Sequence, residues 1–287
     1  MGKLVHFYSA PSGSVGDYLS GPDVTGSARA KETGAIGIRT QDLQDFDFQL
    51  KNLKNLGIKI ERMVIETHGS PGALYLGNDS LDSTSLIRLK GKGYEELFEE
   101  NARIFLNGCN IAESECSTGT CGPAGNGRKF LLDLARLFLF KGGGRVGAST
   151  SKGIPFFNNK VYHLWGATMY AYISKGGAKT RIAVGTELAT PEGQWKVTLD
   201  NNEVEFYWFN RSGSIQWNDG SSFGGKSGKG TWATIAGQVQ INWESGSQEK
   251  WDLPLFTQEQ PATWHRKDGS VAAIQAEKII DSNRWTD

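Results

Sequence analysis

The apolar positions of this chain follow two different rhythms, and the change between them falls near residue 186. Before it, short apolar runs alternate with stretches whose apolar residues recur at helical spacing. Residues 4–10 read as a strand. Leu43, Phe46, Leu50 and Leu53 mark one face of a helix over 42–56 that stops at Gly57, a residue suited to the left-handed position after a helix. Strands are predicted at 58–67, 72–76, 103–107 and 145–149, and helices at 93–101 and 126–140, the latter halted by Gly142-Gly143-Gly144. The long Gly- and Ser-rich stretch between residue 10 and the first helix reads as irregular loop, the kind of segment that carries function or moves. The alternation as a whole predicts an α/β domain over 1–186, with a mostly parallel sheet and helices on both faces.

Over 187–287 the period changes to two. Segments 194–199, 203–210, 214–217, 230–235, 238–243 and 248–253 read as short strands separated by turn residues such as Asn201-Asn202, Ser212-Gly213, Ala236-Gly237 and Ser245-Gly246. Trp195, Trp208, Trp217, Trp232, Trp243 and Trp251 recur almost once per strand. This is the pattern of an all-β, Trp-rich antiparallel meander or small barrel, with the rings filling its interior. Tyr207 and Trp208 are adjacent on one strand and should point to opposite faces, so at least one of the two is expected outside the core. A helix is expected over 271–280. Exposed indoles on such a domain would suit a glycan, lipid or protein target.

Two of the predicted strands end in reactive side chains. The run Met63-Val64-Ile65-Glu66-Thr67 leads into His68-Gly69, and Arg103-Ile104-Phe105-Leu106-Asn107 leads into Gly108-Cys109. Parallel strands of one sheet deliver their C-terminal ends to a common edge, where open α/β sheets hold ligands. A base and a thiol placed there have the makings of nucleophilic catalysis, because only the thiolate attacks efficiently and an adjacent imidazole produces it. Each residue alone has a plainer reading, as a turn histidine and an inert core cysteine. The glycine after His68 and the polar break before Cys109 favour the catalytic one. The N–H groups of Gly69 and Cys109 are the candidate oxyanion donors. Glu66 and Asn110 are the candidates for orienting the pair.

Composition narrows the alternatives. Lys plus Arg number 31 and Asp plus Glu number 31, so the formal net charge is zero and no nucleic-acid partner is indicated. No apolar run is long enough to span a membrane, and the N-terminus lacks a signal-peptide pattern. A cytoplasmic protein, or one exported without a classical signal, is therefore expected. The three cysteines leave an odd count, unsuited to a full disulfide framework. Cys116 and Cys121 lie in a Gly-rich loop without further ligands at zinc-site spacing, so no metal site is expected. No cofactor is called for, although an activating ion or small ligand is compatible with the chain.

The blocks Thr67-His68-Gly69-Ser70-Pro71-Gly72-Ala73-Leu74-Tyr75-Leu76-Gly77 and Ile104-Phe105-Leu106-Asn107-Gly108-Cys109-Asn110-Ile111-Ala112, with the strand 145–149 after a long helix, resemble the caspase-like superfamily of cysteine peptidases, most closely its bacterial members. The resemblance covers about residues 1–185. It implies a caspase-like α/β fold, His68 as base, Cys109 as nucleophile, Gly69 in the oxyanion hole and a protein or peptide substrate. Two departures bear on specificity: Asn107 stands where Arg/Lys-specific relatives carry an acid in a similar place, and Asn110-Ile111 replaces the caspase-type Arg-Gly after the cysteine. The expected function is that of a bacterial effector, toxin or regulatory protease whose β-domain recognises a target or restrains the enzyme. The alternatives are a catalytically inactive caspase-like scaffold and a glycan- or lipid-binding protein acting through the β-domain.

Overall fold

The computed structural model describes residues 2–9, 22–77, 79–113, 126–150, 153–155, 161–163, 168–221 and 225–279. The chain divides into two compact units, 1–182 and 183–287.

In the first unit, β1 (Lys3–Ser9) pairs in parallel with β2 (Ile36–Thr40) on one side and β3 (Ile60–Glu66) on the other. Two short strands follow, β4 (His68–Ser70) and β5 (Ala73–Leu76), and together with β6 (Asp79–Asp82) they make a small antiparallel sheet of their own. The main sheet then extends outward from β3 through β7 (Phe98–Asn107), β8 (Gly144–Ser149) and, past a β9 (Gly153–Pro155)/β10 (Val161–His163) ribbon, the antiparallel β11 (Thr168–Ile173). Its order within this unit is thus β2-β1-β3-β7-β8-β11, parallel except at β11.

Among the described residues three helices flank it: α1 (Pro22–Thr33), α2 (Leu43–Asn55) and α3 (Gly127–Leu139). Asp42 caps α2 by accepting from the Asp45 N–H at 2.7 Å, and Asn126 caps α3 by accepting from the Lys129 N–H at 2.9 Å. The helices lie on both faces of the sheet. Phe46 of α2 meets Phe7 at a ring separation of 4.9 Å, whereas Gly26 of α1 lies against the next residue of β1, Tyr8. A Cβ on Gly26 would fall 2.4 Å from that of Tyr8. No helix among the described residues is long and apolar enough to cross a membrane.

Three expectations are corrected here. The stretch read as irregular loop contains α1 and β2; α1 has no apolar stripe to announce it, only a Pro in its first turn, a favourable start position. The region read as a helix over 93–101 is a 3₁₀ turn, Tyr94–Leu97, running directly into β7. Glu95, Glu96, Glu99 and Glu100 favour helix intrinsically, but pairing of β7 with β3 overrides them through an irregularity between the Ile60–Phe98 and Arg62–Arg103 pairs. The third correction concerns the second unit and is given with its strands.

One face of the sheet carries an arginine row invisible in the balanced composition. Arg62, Arg103 and Arg145 are lateral partners on β3, β7 and β8, followed by Tyr172 on β11. Neighbouring strands are about 4.8 Å apart, so like charges stand opposite one another and repel. Tyr172 relieves part of this, with Arg145 and Arg181 both lying over its ring at 6.0 and 4.7 Å. Arg62 and Arg103 are exposed and form no ion pair with any described residue.

β12 (Thr180–Leu188) carries the chain into the second unit, where its later residues pair with β19 (Leu255–Gln258). The remaining strands are β13 (Gly193–Thr198), β14 (Val204–Phe209), β15 (Ser214–Asn218), β16 (Ser227–Ile235), β17 (Gln238–Trp243), β18 (Gln248–Asp252), β20 (Gln260–His265) and β21 (Val271–Lys278), and these eight form a closed antiparallel barrel. Closure comes from β21 pairing with β13, Val197 opposite Ala276. Residues 271–278, read as part of a helix, are therefore a strand, while residue 280 lies outside the described residues. Ala, Gln, Glu and Lys favour helix by propensity, yet Ala272, Ile274 and Ala276 alternate inward with period two.

The barrel core is aromatic. Trp195 and Trp251 are fully buried at a ring separation of 5.1 Å, and Tyr207 packs edge-on to Trp243 at the same separation. Tyr207 points in while Trp208 is only half-buried, as their adjacency requires.

Inside this apolar barrel sits a carboxylate. Glu249 is 1 % exposed and accepts from Trp243 Nε1 (2.8 Å), Trp251 Nε1 (3.1 Å) and the Tyr207 hydroxyl (2.8 Å). Glu205 lies 3.0 Å from the same hydroxyl. One phenol proton cannot serve both carboxylates, so one carboxyl must donate a proton of its own. Burial pushes the Glu249 carboxyl up to about 7 despite its three donors, and burial raises Glu205 too.

Two outcomes follow from these charges. Between about pH 4.5 and about pH 7 the folded barrel holds a Glu249 proton that the unfolded chain has released, so stability falls as pH rises through that window, by about 3 kcal/mol. Denaturant melts from about pH 5 to about pH 8 should show the decline, and Glu249→Gln should flatten it. In the first unit, Arg103→Thr should raise stability by about 0.2–1 kcal/mol, with the gain shrinking as salt is added.

Candidate active site

The site is built by two strand ends. The β3–β7 register finishes with Glu66 opposite Asn107, and the Thr67 N–H then donates to the Asn107 carbonyl at 3.1 Å. From there one chain continues to His68 and Gly69, the other to Gly108 and Cys109, and their backbones pack against each other. A Cβ on Gly108 would lie 2.6 Å from the Thr67 carbonyl oxygen and 3.4 Å from the Gly69 nitrogen. One on Gly69 would lie 2.6 Å from Ile111 Cγ1 and 3.1 Å from the Cys109 carbonyl oxygen. Both glycines are thus demanded by close approach, since any side chain would force the segments apart. The candidate oxyanion donors, the N–H groups of Gly69 and Cys109, belong to these same contacting segments.

Beyond Cys109 the chain is tied down on several sides. Asn110 adopts a left-handed conformation (φ 53°), and Ile111 and Ala112 are fully buried. The Ile111 carbonyl accepts from the Gly72 N–H at 2.9 Å, the Ala112 N–H donates to the Ser149 carbonyl at 3.1 Å, and the Gly127 N–H donates to the Glu113 carbonyl at 3.0 Å. These bonds fasten the turn to the β4–β5 hairpin, to the end of β8 and to the start of α3. Gly127 itself leaves no room for a Cβ, which would lie 2.4 Å from the Ala112 carbonyl carbon.

His68 opens β4, is exposed, and stands opposite Tyr75 of β5. The hairpin is braced by a 2.8 Å hydrogen bond between Ser70 Oγ and the Tyr75 hydroxyl, and by the Thr67 hydroxyl donating to the Tyr75 carbonyl. Cys109 is half-buried. An exposed imidazole and a partly shielded sulfur carried by contacting strand ends can serve as base and nucleophile on a substrate approaching the sheet edge. Cys116, Cys121 and most of the loop that carries them lie outside the described residues.

Of the two orienting candidates, Glu66 is almost fully buried and its carboxylate accepts from Arg29 at 2.6 Å and meets His6 Nε2 at 3.1 Å. Asn110 supplies the left-handed turn immediately after the nucleophile, a conformation Asn tolerates better than most residues. The sequence reading did not single out His6 or Arg29. A signal existed for His6, a titratable residue within the apolar strand Lys3–Ser9, and for Glu66, a charge at the end of another apolar strand. Nothing pointed to Arg29, whose helix was not foreseen.

Residues 36–137 match a family model described as a domain of unknown function, DUF4347. The matched region is about a third of the chain, contains both His68 and Cys109, and runs from β2 into α3, leaving the barrel outside it. No curated protein matches the chain.

The tightness of the strand-end contact is open to a direct measurement. Gly108→Ala places a methyl into the Thr67 carbonyl and should destabilise the first unit by about 1–3 kcal/mol in chemical denaturation, whereas Gly57→Asn, at an open left-handed position, should cost well under about 1 kcal/mol.

Proposed function

We propose that the protein is a cysteine endopeptidase of caspase-like type, with His68 and Cys109 as its catalytic pair and the β-barrel as a recognition or restraint domain. The observation that carries this reading is the contact between the His68-Gly69 and Gly108-Cys109 segments at the C-terminal edge of a largely parallel sheet. The DUF4347 match is compatible with it, since the matched region holds both residues, but its description names no activity.

In this mechanism His68 takes the Cys109 thiol proton, and the sulfur attacks the peptide carbonyl to form a C–S bond. The N–H groups of Gly69 and Cys109 stabilise the oxyanion. The imidazolium gives its proton to the leaving amine as the C–N bond breaks. Water, deprotonated by His68, then hydrolyses the thioester and restores the thiol. Glu66 acts from behind this edge, with His6 and Arg29 fixing the end of β3 from which Thr67 and His68 continue.

The test is cleavage of a diverse peptide library by the full chain. Cys109→Ala should abolish turnover with the thermal melt unchanged, and His68→Ala should lower it by about 10²–10⁴-fold. A thiol-reactive peptide electrophile should label Cys109 ahead of Cys116 and Cys121, and only when His68 is present. Full proteolysis by the Cys109 variant would end this assignment. Slow, equal labelling of all three cysteines with no turnover would favour the inactive scaffold instead.

A further inference from the structure

The barrel carries a cleft of its own, independent of the candidate active site. Its volume is about 630 Å³, within the range of small-ligand sites, and it is formed where β14, β15 and β16 lie side by side. Trp208, Gln216 and Lys229 are lateral partners across these strands, and Asn218 is paired with Ser227 one same-face row away. Tyr207 and Phe209 point into the core, so the Trp208 indole belongs to the outer face. Trp217 stands level with Tyr207, so its ring turns to the inner face, where it packs against the barrel core and lies across Gly228; a Cβ on that glycine would fall 2.2 Å from the indole Nε1. That glycine is therefore what allows the second indole its position.

The polar groups are unusually available. The side chains of Gln216, Ser227, Lys229 and Glu244 make no hydrogen bond or ion pair with any described residue, and Asn218 uses only its oxygen, accepting from the Gly220 N–H at 2.9 Å. The cleft thus offers the flat apolar ring of Trp208 beside planar amides, a hydroxyl, and one charge of each sign. A lipid chain would leave these donors and acceptors buried and unsatisfied. A polyanion would want several cations, and here Glu244 offsets Lys229. A ligand with apolar faces and a rim of neutral hydroxyls satisfies both halves of the lining at once.

We propose that this cleft is a binding site for a neutral oligosaccharide, with a sugar ring lying on Trp208 and hydroxyls bridged by Gln216, Asn218 and Lys229. This goes beyond the peptidase reading and stands apart from it, because every residue of the cleft lies in the second unit.

The test titrates the full-length Cys109→Ala protein with cellohexaose, chitohexaose, laminarihexaose, xylohexaose and maltohexaose, following tryptophan fluorescence and calorimetry. At least one should bind saturably with Kd at or below about 1 mM, and Trp208→Ala should weaken it about 10-fold or more. Ile235→Ser, exposed on β16 away from the cleft, should leave binding unchanged, and circular dichroism melts separate lost binding from lost folding. Unlike the cleavage test, the readout does not depend on the thiol, so the two readings fail separately. Absence of saturable binding by every sugar overturns the proposal. So does undiminished binding by the folded Trp208 variant, or binding to anionic vesicles or heparin in place of neutral sugars.

Discussion

Parallel pairing of β3 with β7 is the constraint on which the rest of the first unit turns. It is a ladder of backbone hydrogen bonds between two apolar strands, and its register alone decides that Glu66 and Asn107 end level with each other. A slip of one residue would turn Met63, Ile65, Ile104 and Leu106 out of the core, so burial of these four locks the register. With the strands locked, the next residues of both chains emerge together. The glycines at 69 and 108 then let the emerging segments touch, and the Asn110 turn anchors the second of them. Positioning of the candidate nucleophile thus depends on packing along the two strands below the edge more than on any contact at the edge itself.

That chain of causes explains what could be read without coordinates. The helix at 43–55 was legible because its apolar spacing, its Asp42 cap and Gly57 all agree, and α3 was legible for the same reason at Asn126. The approach of the His68-Gly69 and Gly108-Cys109 segments was legible because each follows an apolar run, and runs that end level in a parallel sheet bring their next residues together. What escaped was whatever depends on a distant partner. α1 has little apolar surface of its own and is held by a close fit of Gly26 on Tyr8; β21 has helix-favouring residues and is a strand because β13 and β20 lie on either side of it. Arg29 reaches Glu66 across 37 positions of sequence, a relation no local pattern encodes. The Trp-rich half was read correctly in kind, but its closure into a barrel requires a strand that propensity argued against.

The two units solve opposite electrostatic problems. In the sheet, like charges are tolerated at the surface, where water and the faces of Tyr172 moderate them. In the barrel, a carboxyl group is enclosed with no ion pair among the described residues, and the solution is proton sharing among Glu249, Glu205 and the Tyr207 hydroxyl, backed by two indole N–H donors. Tryptophan serves there as a hydrogen-bond donor as much as a space-filler, which gives part of the indole repeat a reason beyond volume.

The strand order also has a consequence in time. The main sheet of the first unit accretes in the order of synthesis: once β1 and β2 are made, β3, β7, β8 and β11 each add beside a strand already present. A ribosome can therefore release this unit piece by piece into a growing fold. The barrel cannot be assembled that way, because β13 keeps an open edge until β21, some eighty residues later, arrives to cover it. Nascent chains stalled in between would expose that edge together with unburied indoles, and would be the species most in need of a chaperone.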